Sequence, residues 1–143
     1  MKTEGNMAKD IFHEIVKKAL QNDGWIITHD PYRILALGKN VQIDLGAEKP
    51  MIAAQKGSER IAVEIKSFIN PSFTYDFHLA LGQYLNYLLL LEEQEPERIL
   101  YLAVSEDIFE THFHNLAIQK AINRYQIKLV IFDHQNHIKQ WIQ

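Results

Sequence analysis

Two short, almost wholly apolar runs constrain the fold of this chain more than any other feature: Ile99-Leu-Tyr-Leu-Ala-Val104 and Ile127-Lys-Leu-Val-Ile-Phe-Asp133. Both are of strand length, and a strand that is apolar on both sides must be covered on both sides. The sheet they join therefore carries helices on its faces, an α/β arrangement.

The rest of the pattern supplies those helices. From Ala8 to Gln21, apolar residues at Ile11, Phe12, Ile15, Val16, Ala19 and Leu20 recur with helical spacing, and Asn22-Asp23-Gly24 ends the pattern. A second helix is expected from about Thr74 to Glu93, leucine-rich, free of proline and with one glycine at Gly82; Glu92-Glu93-Gln94-Glu95-Pro96 stops it. Ser105-Glu106-Asp107 reads as another helix start, with acids where the dipole favours them, followed by two short helices broken near His114-Asn115. Strands are expected at Trp25–Thr28, Arg33–Leu37, Val41–Leu45, Met51–Gln55 and Arg60–Lys66, set apart by Asp30-Pro31, Gly38-Lys39-Asn40 and Lys56-Gly57-Ser58. Ile138–Ile142 would add an edge strand. With no repeat or linker in view, residues 8–143 read as one domain behind a flexible tail of residues 1–7.

Composition limits the chemistry. The 143 residues include no cysteine, which removes disulfides, thiolate nucleophiles and thiolate zinc sites, and suits a reducing compartment. The polar N-terminus lacks the apolar stretch of a secretory signal, and the longest aliphatic run, Leu88–Leu91, is too short to span a bilayer, so a cytoplasmic protein with no membrane association is expected. Fifteen basic residues against eighteen acidic leave a formal charge of −3, which argues against tight non-specific binding to a polyanion but leaves room for a site where carboxylates are concentrated.

The most informative segment is Arg60-Ile-Ala-Val-Glu-Ile-Lys66. Side chains on a strand alternate between faces, so Glu64 and Lys66 point one way and Ile61, Val63 and Ile65 the other. Alone, that pair is equally a solvated face or a cross-strand ion pair. Val41-Gln-Ile-Asp-Leu45 repeats the pattern, with Val41, Ile43 and Leu45 on one side and Gln42 and Asp44 on the other, although Asp44 can equally cap the turn at Gly46. Were the two strands neighbours, Asp44 and Glu64 would converge with Lys66 beside them. Two carboxylates so placed repel unless a cation lies between, and hard oxygen donors select Mg²⁺ or Mn²⁺ over zinc. Such a set suits phosphodiester chemistry: Asp44 and Glu64 hold the metal, and Lys66 orients water or neutralises developing charge.

Further candidates lie on the helices. Gln83 and Tyr87 are four apart on the long helix and share a face, and Glu14 is a lone acid among apolar residues of the first helix. Core packing explains Tyr87 equally well, and pairing with Lys17 or Lys18 explains Glu14. His112-x-His114 and His134-x-x-His137 have metal-ligand spacing but lack a nearby acid; His13 and His29 can line a cleft or serve as structural histidines. There is no phosphate-binding glycine loop, and Ser105 reads as a helix cap rather than a nucleophile.

The succession of Glu14 on a helix, Ile43-Asp44, Val63-Glu64-Ile65-Lys66 and Gln83-x-x-x-Tyr87 resembles the PD-(D/E)xK nuclease superfamily, particularly its RecB-like branch. More specifically, Ala8-Lys-Asp-Ile-Phe-His-Glu14, Gly24-Trp-x-Ile-Thr-His-Asp-Pro31, Ile43-Asp-Leu-Gly-Ala-Glu48, Ile61-Ala-Val-Glu-Ile-Lys-Ser-Phe68 and Glu92-Glu-Gln-Glu-Pro-Glu-Arg98 followed by Ile99-Leu-Tyr-Leu-Ala-Val104 resemble the cyanobacterial XisH family, the fdxN-element excision controlling factors. Ile43 stands where the superfamily's named proline would be. The resemblance implies a restriction-endonuclease-like fold with a central mixed sheet flanked by helices. It also implies a role in excising a DNA element, alongside a site-specific recombinase and a companion protein of the XisI type. Its site would be catalytic at Glu14, Asp44, Glu64, Lys66, Gln83 and Tyr87. Two functions stay open at this point: a Mg²⁺-dependent DNA endonuclease, and a catalytically silent accessory subunit that docks DNA or protein. A fold this small often dimerises to act on two strands, and no segment of the sequence identifies the interface.

Overall fold

In a computed structural model that describes residues 4–50 and 58–143, the chain forms a six-stranded mixed sheet with helices on both faces, plus a two-stranded hairpin. Helix α1 (Glu4–Asn22) comes first, then β1 (Ile26–His29), β2 (Tyr32–Ala36), β3 (Lys39–Ile43), β4 (Leu45–Pro50) and β5 (Ser58–Ile65). Helix α2 (Phe73–Gln94) leads into β6 (Ile99–Ser105), α3 (Glu106–His112), α4 (Leu116–Tyr125), β7 (Leu129–Phe132) and β8 (Ile138–Ile142). The first helix starts at Glu4, so residues 4–7 of the expected tail are helical. The strand expected at Met51–Gln55 lies outside the described residues.

The sheet order is β1-β4-β5-β6-β7-β8. The β5–β6 and β6–β7 pairs are parallel and the remaining pairs antiparallel. The two apolar runs form β6 and β7, and alternation along them divides the core. Leu100, Leu102, Val104, Leu129 and Ile131 pack on the face covered by α2, while Tyr101, Ala103, Val130 and Phe132 pack on the face covered by α1 through Val16 and Leu20. A strand buried on both sides can carry no polar face, which is why these runs read as continuous apolar sequence.

Local signals set the helix ends. Gly24, at φ +95°, takes the left-handed conformation that lets the backbone leave α1, and Trp25 N–H bonds back to Leu20 C=O at 3.0 Å. Ser72 caps α2 by accepting from Tyr75 N–H, Ser105 caps α3 by accepting from Ile108 N–H, and Asn115 caps α4 by accepting from Ala117 and Ile118 N–H.

The centre of the chain departs from the expected meander. Residues 41–45 are not one strand: β3 ends at Ile43 in the separate β2–β3 hairpin, and β4 begins at Leu45 in the main sheet. Ile43 and Leu45, expected on one side, pack in opposite layers, Ile43 with the α2 core and Leu45 with the α1 core. The hairpin leaves the sheet plane to bury Tyr32, Ile34 and Ile43 against α2, and Asp44 occupies the corner between them. Among the described residues no helix is long and apolar enough to cross a membrane.

Candidate functional site

The corner at Asp44 lies beside the end of β5. The β4–β5 ladder pairs Leu45 with Val63 and Gly46 with Ala62, so one further step of the antiparallel register sets Asp44 against Glu64. The hydrogen bonds agree. Asp44 Oδ2 accepts Ile65 N–H at 2.7 Å, and Glu64 Oε1 accepts Asp44 N–H at 3.3 Å. Each carboxylate thus stitches the other's strand end, and the pair is fixed by backbone rather than by mobile side chains alone.

Asp44, Glu64, Ile65, Lys66, Ser67, Gln83, Phe12 and His13 line a cavity of about 180 Å³. A second cavity of about 360 Å³ shares Ile65, Lys66 and Ser67 and runs out along Ile69, Asn70 and Leu79. Of the sequence-predicted set, the fold therefore gathers Asp44, Glu64, Lys66 and Gln83 around one space. Tyr87, one turn beyond Gln83 on α2, stands near enough to Glu64 and Asp44 to feel both. Burial first, and then the two carboxylates, push its phenol up to about 12. Glu14 is not part of the gathering. It is exposed on α1, outside the residues that line the cavity, and its charge acts on Lys17, one turn along the helix. Its neighbour His13 faces the cavity instead, because a step of one residue turns the side chain by about 100° around a helix.

Glu64 is only 7% exposed. Burial, then the negative charge of Asp44 and the hydrogen bond to it, push the Glu64 carboxyl up to about 9, against a smaller opposing pull from Lys66. Lys66 Nζ lies 3.7 Å from Glu64 Oε2, a separation that passes for an ion pair. Burial and the second carboxylate outweigh that attraction, so the Glu64 carboxyl stays protonated at neutral pH. A divalent cation is the natural replacement for that proton, since it compensates both carboxylates together.

The donor chemistry supports a hard cation. The amide Oε1 of Gln83 is buried with no hydrogen-bond partner, a cost of about 1–3 kcal/mol that a cation or its bound water would remove. Two carboxylate groups and an amide oxygen around one space are the ligand types that Mg²⁺ and Mn²⁺ prefer. Among the described residues no group of three His, Cys, Asp or Glu side chains converges, so waters and neutral oxygens would have to complete the coordination.

One network at the rim was not foreseen. Asp30 accepts from Lys17 Nζ at 2.8 Å and bonds His13 Nε2 at 2.7 Å, and these bonds hold its carboxyl below the usual range despite the opposing effect of burial. Nothing in the local sequence joins residues 13, 17 and 30; the link exists because β1 runs back past α1. Of the other histidines, His29 shares a hydrogen bond with Thr28 Oγ1 at 2.9 Å and packs edge-on against Tyr32, and His78 is exposed on α2. His112 stacks flat on Phe73 with centroids 4.1 Å apart, His114 pairs with Glu110, His134 with Asp107 and His137 with Asp133.

A family model described as XisH protein matches residues 7–139. The chain is similar to the crystal structure of an XisH family protein from Nostoc punctiforme PCC 73102. That comparison gives 42% identity, covers 94% of this chain and 100% of that one, and has a TM-score of 0.85. It is similar also to the structure of an fdxN element excision controlling factor protein from Anabaena variabilis, with 40% identity, 94% and 99% coverage and a TM-score of 0.84. No curated protein matches it.

Proposed function

The chain belongs to the XisH family, and from that premise we propose that it acts in the cytoplasm as an excision controlling factor whose Asp44–Glu64 pocket is a divalent-metal site for DNA phosphodiester chemistry. The excision role is carried by the name of a relative that shares 40% identity across 94% of this chain. The chemistry is carried by one observation: two carboxylates locked together by backbone hydrogen bonds, one of them buried, with a lysine 3.7 Å away and an unpartnered amide oxygen in the same pocket.

In this reading the fold is a PD-(D/E)xK nuclease core of the restriction-endonuclease-like type. The mixed sheet, Asp44 at a strand end, Glu64 and Lys66 on either side of the end of β5, and Gln83 and Tyr87 on the covering helix support it. Asp44 and Glu64 would hold Mg²⁺ or Mn²⁺, with Gln83 offering its oxygen to the ion or to a water on it. A bound ion supplies Lewis acidity at the phosphate and a more acidic attacking water. Lys66 sets a cation beside the position where charge develops on the phosphate oxygens, and its contact with Glu64 holds it there. Tyr87 would orient Glu64 from the covering helix. DNA is the proposed substrate, with a site-specific recombinase and an XisI-type companion as the proposed partners.

A second reading keeps the site and removes the turnover: a catalytically silent accessory subunit. The formal charge of −3 favours it, as does the absence of a third acidic or histidine ligand among the described residues. Calorimetric titration with Mn²⁺, followed by plasmid nicking in Mg²⁺ and Mn²⁺, separates the two. The nuclease reading expects Asp44→Asn and Glu64→Gln to lose metal binding, and these variants and Lys66→Ala to lose nicking. A wild type that binds the ion yet leaves supercoiled, branched and single-stranded DNA intact selects the accessory role. One that binds no divalent ion at all defeats the metal site.

A further inference from the structure

Helix α2 carries large apolar residues on its solvent side as well as on its buried one, and among the described residues nothing covers them. It buries Phe77, Ala80, Tyr84, Leu90 and Leu91 toward the sheet, and a helix covered on one side ordinarily turns polar residues outward. Here Tyr75, Leu79, Leu85 and Leu89 are exposed at 55%, 48%, 37% and 57%. Their spacing aligns them in one stripe with Gly82 at its middle. Other exposed apolar residues lie near both ends of the helix. Ile69 is exposed ahead of the first turn, and Leu35, whose N–H is held by the Gln94 side chain at 2.7 Å, is exposed beside the last. A contiguous apolar patch on a surface marks an interaction site.

Gly82 is a second observation. Glycine in a helix interior costs about 1 kcal/mol relative to alanine, and a Cβ at this position would meet nothing within 4 Å. The chain's own packing does not require glycine there. Another helix backbone crossing closely at that point would, because interaxial distance is set by the side chains at the contact.

We propose that this face binds a second copy of the chain, α2 against α2, antiparallel about a two-fold axis at Gly82. The helix's own sequence selects that occupant. Reversal about Gly82 sets Leu79 against Leu85 and Tyr75 against Leu89, with polar His78 against polar Asn86 between them, so like meets like along a seam roughly 21 Å long, as an isologous interface requires. Charge agrees with the same direction. Glu92 and Glu93 lie exposed in a last turn that has no basic residue, where their own helix dipole disfavours them. The reversed copy brings its N-terminal turn, with unpaired backbone N–H groups, alongside them. Asp76 of that turn is directed back to its own chain, accepting Asn70 N–H at 2.8 Å.

Sedimentation velocity of the full chain over a range of concentrations tests the proposal, which is independent of whether the pocket binds metal. Wild type sediments as a dimer. Gly82→Gln, which the open space around position 82 accommodates in the single chain, becomes monomeric with an unchanged circular dichroism spectrum. The double reversal Glu92→Lys with Glu93→Lys favours its own helix dipole yet weakens the dimer, by up to about tenfold in dissociation constant. Because the chain has no cysteine, Gly82→Cys places one thiol per chain at the axis, and mild oxidation yields a covalent species of twice the 16.7 kDa chain mass. Leu116→Cys, on exposed α4, yields none. A wild type that stays monomeric at concentrations on the order of 100 µM overturns the proposal. So does a dimer that survives Gly82→Gln, or one that Gly82→Cys does not cross-link.

Discussion

Replacing Glu64 with glutamine should stabilise the metal-free protein at neutral pH, against the usual expectation that an altered functional residue is neutral or harmful to stability. The folded protein holds the Glu64 proton up to about pH 9, whereas in the unfolded chain the carboxyl ionises near its ordinary 4.5. At pH 7 the unfolded chain has released that proton and folding must recover it, which costs about 3 kcal/mol at 1.36 kcal/mol per pH unit. Any folded value well above 7 gives the same figure. The sign follows from the upward direction: the stability tied to the protonated carboxyl is fully present below about pH 4.5 and is lost progressively as pH rises toward 9. Glutamine stays neutral throughout, accepts Asp44 N–H as Glu64 does, and can donate to the Asp44 carboxylate. Thermal or urea denaturation of both proteins in EDTA from pH 4.5 to 8.5 should give curves that nearly coincide at the acid end. They should separate by about 3 kcal/mol, roughly 10 °C in Tm, at pH 7. All other acids are common to both proteins and cancel. Mn²⁺ at pH 8 should then raise the wild type and leave Glu64→Gln unmoved. A pH-independent difference, or a variant less stable than wild type at pH 8, would refute the argument that burial and Asp44 together keep this carboxyl neutral.

Two further substitutions test how the site is held. Arg98, 5% exposed, donates to Glu95 at 2.9 Å and to Ile61 C=O at 2.8 Å and lies 4.6 Å over the Tyr32 ring. Arg98→Ala breaks a buried pair from one side and should cost about 3 kcal/mol in urea denaturation at pH 7. Tyr84 donates to Leu100 C=O and accepts Lys128 N–H at 3.1 Å, tying α2 to the β6–β7 edge; Tyr84→Phe removes the partner of the buried Leu100 C=O and of the half-buried Lys128 N–H and should cost about 2 kcal/mol, read as a fall in Tm of several degrees.

Sequence alone was sufficient for the layers and for most elements. The apolar runs of β6 and β7 required a sheet covered on both faces, and the helical spacing of α1 and α2 supplied the covers, because alternation and the 3.6-residue period are local properties of the chain. The residue types of the site, an aspartate and then glutamate and lysine two apart, were legible for the same reason. Tertiary structure decided where they meet. Residues 41–45 have an unbroken strand pattern, yet the chain divides at Asp44 because Tyr32, Ile34 and Ile43 bury themselves against α2 while Leu45 joins the main sheet. No local propensity encodes that competition between two cores. It determines that Asp44 stands at a corner opposite Glu64, that His13 rather than Glu14 faces the cavity, and that residues 13, 17 and 30 form one network. The protonation of Glu64 belongs to the same class: a carboxyl's ordinary acidity is written in its side chain, but the burial and neighbouring charge that displace it exist only once distant segments have packed together.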